Sequence, residues 1–136
     1  MTGSAFLYRI YIKPAVLVRA GPDETCYTLD PATASFVADT EALIDLLTPG
    51  ADIDRETLPA FAMTMARFLA QAPGDPLGLR ASLDAFRARE DEVYMRQEPM
   101  SPEDRAQNRA IADEVLRRVL ARDHGGLPPE VAAQIA

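Results

Sequence analysis

The chain has 136 residues, 48% of them hydrophobic and 26% charged, enough to bury one core without staples and outside the composition of disordered chains. Twenty-one acidic residues against 14 basic ones leave a formal charge of −7, which disfavours long-range attraction to phosphate and so argues against direct nucleic-acid binding. Cys26 is the only cysteine and His124 the only histidine, so neither an intramolecular disulfide nor a cysteine-based zinc site can form.

The apolar run at the N-terminus is broken by Arg9 and Lys13, which is unlike a signal peptide, and no window reaches the length of a membrane span. A soluble cytoplasmic protein is expected. Lys13 is the only lysine beside 13 arginines, and with the many alanines this suggests a GC-rich coding sequence of bacterial or phage type.

In the first predicted element, FLYRIYI at 6–12, Phe6, Tyr8, Ile10 and Ile12 alternate with Leu7, Arg9 and Tyr11, a strand signature. AVLVR at 15–19 continues it, and AGPDET supplies a turn before a returning strand at 26–29. The arms of this hairpin are unequal. Part of the outgoing arm, 6–19, therefore needs another partner: a strand at 35–38, a helix, or another chain. Leu7, Arg9, Tyr11 and Lys13 then form a candidate edge for strand addition or homodimer pairing.

Asp30-Pro31 reads as a helix start, and Phe36, Val37, Thr40, Leu43, Ile44 and Leu47 recur at helical spacing up to Pro49-Gly50. This favours a helix over 31–48; the alternative is a strand at 35–38 with Asp39 capping a helix over 40–48. A second helix follows ADIDRET, capped by Asp54 or Thr57, with Leu58, Phe61, Ala62, Met65, Phe68 and Leu69 as its stripe. A third, from about Leu79, buries Leu79, Leu83, Phe86 and Val93 and stops at Pro99. A fourth begins at Ser101-Pro102-Glu103-Asp104, buries Ile111, Val115, Val119 and Leu120, and closes at Gly125-Gly126.

The expected fold is α+β in a single domain over 1–136. A β-hairpin segment over 1–30, with three short strands if 35–38 is extended, packs on about four helices over 31–124, and 125–136 is a tail.

No phosphate-cradling glycine loop, nucleophile elbow or paired metal ligands occur, so no cofactor or metal is expected. The segment Asp52–Glu56 lacks the glycine of a calcium loop, and position 63 is Met where such a loop needs glutamate. Asp39, Glu41, Asp45, Asp52, Asp54 and Glu56 concentrate charge: across 31–75, seven acids face only Arg55 and Arg67. A solvated helix face accounts for such a run. The same carboxylates could dock on a basic protein surface by imitating phosphates. Tyr94 and Met95, set among charges near Arg87–Asp91 and Glu92–Arg96 pairs, form a weaker candidate contact.

The expected function is that of a non-enzymatic, acidic protein-binding module: an inhibitor, adaptor or accessory subunit. Its sharpest form is a phage-type antagonist covering a basic nucleic-acid-binding surface. The alternatives are a small enzyme using pocket carboxylates with Tyr8, Tyr27 or Glu90, and a self-associating structural subunit. A Cys26–His124 nucleophile pair has only the presence of both residues in its favour.

Overall fold

The computed structural model describes residues 3–135. The first arm of the expected hairpin is two strands, β1 (Ser4–Ile10) and β2 (Lys13–Ala20), reversed at Tyr11 and Ile12. Tyr11 takes φ +57°, the left-handed geometry that closes a two-residue hairpin turn, so the bend falls where no glycine, asparagine or aspartate announces it. Pro14, at the start of β2, stands opposite Arg9. The amide of Tyr11 and the carbonyl of Leu7 both bond away from β2, so Arg9 does too and the ladder asks no N–H of Pro14.

β3 (Asp23–Asp30) returns against β2, and β4 (Ser35–Ala38) pairs with β3. The helix expected over 31–48 is therefore corrected to the alternative: residues 35–38 are extended and Asp39 caps α1 (Thr40–Leu46). Phe36 and Val37 point to opposite faces of the sheet, 3% and 46% exposed, a period of two that helical spacing had disguised. After α1 the chain forms β5 (Ile53–Arg55), which pairs with β1. The ADIDRET segment, expected only to cap a helix, is this fifth strand. The antiparallel sheet runs β4-β3-β2-β1-β5.

Helices α2 (Leu58–Gln71), α3 (Arg80–Arg96) and α4 (Pro102–Ala121) follow with the caps the sequence announces at Thr57 and Ser101. Arg80 closes the C-terminus of α2, donating to the carbonyls of Ala70 (2.9 Å) and Ala72 (2.8 Å). A 3-10 turn (Asp123–Gly126) and α5 (Pro129–Ile135) complete the chain, so the expected tail is docked: Val131, Ala132 and Ile135 are buried.

The main core lies between one sheet face and α2–α5. Val16, Val18, Leu29 and Phe36 meet Phe61, Met65, Phe86, Val115 and Val119 there. Full burial of such side chains contributes about 1.5–3 kcal/mol each. Of the buried polar side chains, Asn108 is the most enclosed: it donates to the Phe86 carbonyl (3.3 Å) and accepts from Arg89 (3.0 Å), fixing α4 against α3. The other sheet face carries a smaller apolar layer of Ile10, Ala15, Leu17, Cys26 and Ala42, with Phe6, Tyr8, Leu43, Leu46 and Ile53 around it. Among the described residues, the helix packed on that face is α1, seven residues long, through Ala42, Leu43 and Leu46.

Candidate functional site

The six acids expected to form one patch separate into two groups. Asp39 is structural: one carboxylate oxygen accepts from the Ala42 amide (3.0 Å), the other from the Thr28 hydroxyl (2.8 Å). The amide bond is the main reason its carboxyl is held below the usual range, and Thr28 adds to it. Glu41 and Asp45 sit on α1 and make no ion pair among the described residues. Asp52 immediately precedes β5, Asp54 lies at its centre opposite Arg9, and both pair with Arg9. Glu56, where β5 gives way to α2, accepts from the Thr64 hydroxyl (3.0 Å). Its other oxygen is buried without a partner among the described residues, and burial pushes this carboxyl up.

The four residues of the expected open edge are not on one. β1 is paired on both sides, with β2 and with β5, and the Leu7 carbonyl accepts from the Glu56 amide (2.9 Å). Strand addition to β1 is closed off by β5. Leu7 packs against the main core, Arg9 is held by its two aspartates, and Tyr11 and Lys13 lie exposed at the β1–β2 turn.

Beside that turn, a cleft of about 240 Å³ is lined by Arg9, Tyr11, Ile12, Thr64, Arg67, Phe68 and Gln71. Arg67 is engaged by Glu90 through two bonds, Nε to Oε1 (2.9 Å) and Nη2 to Oε2 (2.6 Å). Arg9 is likewise satisfied by carboxylates, which weakens both as receptors for an anionic ligand. The residues named for an enzyme do not converge: Tyr8 belongs to the α1-side layer, Tyr27 packs against the main core, and Glu90 is occupied by Arg67. Cys26 is buried under α1, which pushes its thiol up to about 11, while His124 is exposed in the 3-10 turn. Among the described residues, no three His, Cys, Asp or Glu side chains are grouped to hold a metal ion. No helix among the described residues is long and apolar enough to cross a membrane.

The outer sheet face offers the most unusual surface. Ala42, Leu43 and Leu46 turn α1 inward, which leaves Ile44 (58% exposed) and Leu47 (72%), three positions apart, on the outward stripe. Glu41 precedes Ile44 by three positions on the same side. Ile44 and Leu47, which the sequence places in one helical spacing with Phe36 and Leu43, are thus solvent-facing. The readable signal was a short helix whose apolar residues Ala42, Leu43, Ile44 and Leu46 are too many for one buried stripe, so that some of them face outward beside Glu41 and Asp45.

A register row Arg55–Tyr8–Ala15–Thr28–Val37 crosses the same sheet face, ending in exposed Val37 on β4. Near the opposite corner, the guanidinium carbons of Arg19 and Arg55 lie 5.3 Å and 4.9 Å from the ring centre of Phe6. Arg19 also pairs with Glu24 (3.1 Å); Arg55 makes no ion pair among the described residues. The sequence reading missed Phe6, Arg19 and Arg55 as a group because only the strand register brings them together.

Tyr94 and Met95 are 83% and 79% exposed near the end of α3. They belong to the helical layer, on the other side of the sheet from α1, and cannot share one contact with the acids of α1. Neither a family model, nor a curated protein, nor a solved structure matches the chain.

Proposed function

We propose that the chain is a non-enzymatic protein-binding module that presents α1 and the adjoining outer sheet face to another protein. The observation that carries this reading is the outward stripe of α1: Ile44 and Leu47 in water, beside carboxylates of Glu41 and Asp45 that no described cation neutralises. Burying two such aliphatic side chains against a partner would contribute about 1.5–3 kcal/mol each. The acids would choose a partner with a basic rim and speed the encounter. An inhibitor covering a basic surface, an adaptor and an accessory subunit all use a surface of this kind.

The test is capture from a lysate of the source organism on immobilised protein, with wild type and Leu47→Arg side by side and washes at low and high salt. Leu47 is exposed, so its replacement leaves the core intact. A protein held by wild type, weakened by salt and lost with Leu47→Arg supports the reading. Capture that is equal for both baits refutes this face as the binding surface.

A further inference from the structure

The outer sheet face carries two patches of opposite character side by side. One is the ridge of α1, with Glu41, Ile44, Asp45 and Leu47; the other is the corner of sheet that α1 does not cover, with Phe6 between Arg19 and Arg55. A helix laid on a sheet stands well above it, so ridge and corner form a step. A half-turn about an axis parallel to this face, lying above it and running between the patches, brings the ridge of one copy over the corner of the other, and the reverse. A twofold interface must be self-complementary in this sense. From this arrangement we infer that the outer face pairs with the same face of a second copy, acids and aliphatic groups of each α1 against the arginines and phenylalanine of the other.

Three features converge on that occupant. Each half of the contact joins an unpaired pair of carboxylates to a guanidinium, Arg55, that has no carboxylate of its own among the described residues. Arginine with an aromatic ring is a composition favoured at the centre of interfaces. The chain carries −7 overall, so an approach of two copies is favourable only where their charges are arranged in alternation, as they are on this face.

The inference rests on the reading of this face as a protein contact, and its test is separate. The mass of the purified protein is followed by sedimentation across a concentration series, with Arg55→Glu and Glu41→Arg measured singly and mixed. A mass rising from 14.8 kDa toward twice that value, weakened about tenfold or more by either reversal and restored when the two variants are mixed, establishes the contact. Both positions are exposed, and circular dichroism checks that each variant is folded. A monomer at every concentration overturns the second copy as occupant, whatever the lysate capture shows. A dimer indifferent to both reversals overturns it as well, by placing the contact elsewhere. A wild-type monomer whose capture of another protein is lost with Leu47→Arg would leave the binding reading standing alone.

Discussion

Gly126 lies against the backbone of Phe36 so closely that a Cβ at position 126 would stand 2.5 Å from the Phe36 carbonyl oxygen. Phe36 belongs to β4, an outermost strand of the sheet, and the 3-10 turn thus covers an edge that would otherwise be open. Arg122 fastens the same junction by donating to the Thr33 carbonyl (2.8 Å).

Gly126→Ala is therefore expected to be costly. The residue holds φ +80°, where an L side chain is strained by about 1–2 kcal/mol, and the neighbour that must move is backbone. With the displacement added, a loss of about 2–4 kcal/mol is expected in urea unfolding. Gly50→Ala shares the positive φ but meets nothing within 4 Å, so it should lose only the strain. Equal losses for the two would dismiss the close approach as the cause.

Cys26 should behave as a core atom. Burial is the larger reason its thiol is pushed up to about 11, with the charge of Asp39 adding to it. Native protein at pH 8 is expected to react with an aromatic disulfide reagent at least about a hundredfold more slowly than denatured protein. A native rate close to the denatured one would show that α1 opens readily from the sheet.

Two carboxyls should move stability in opposite directions with pH. Glu114, bonded first by Arg117 and then by Arg118, is lowered from 4.5 to about 2. Its contribution is complete above the unfolded value near 4.5 and disappears as pH falls toward 2. Glu56 is raised by burial, so its charged form opposes folding at neutral pH and protonation relieves that opposition. Glu114→Gln should lower the melting temperature at pH 7 and converge with wild type near pH 2. Glu56→Gln should raise it at pH 7, with the gain fading in acid. Parallel profiles for both variants would contradict these assignments.

Helix starts were legible because their chemistry is local. Thr57 and Ser101 are capping residues with a proline in the first helical turn that follows, and both caps stand where the sequence places them. The strands were harder for physical reasons that differ from one to the next. The reversal at Tyr11 uses a residue with no turn preference, held by the tight pairing of β1 with β2. β5 is three residues long and carries two charges, so it has no pattern of its own; the ion pairs of Arg9 and the pairing with β1 make it a strand. Phe36 and Val37 satisfy both periods over four residues, and only the sheet decides between them. The candidate surface suffered most, since Phe6, Arg19 and Arg55 meet through a register that no local signal contains.

The docking of α5 bears on the order of assembly. The Gln134 side chain accepts from the Ala5 amide (3.0 Å), across 129 residues of sequence. Strands β1 to β4 form a meander of neighbours and can pair as they emerge from a ribosome. The beginning of β1 waits for the last turn of α5, and the edge facing β5 stays bare until some forty residues more have been made. β1, made before the strands and helix that complete it, is thus among the last of these elements to be finished, and a nascent chain displays it to whatever chaperone or neighbouring chain is near.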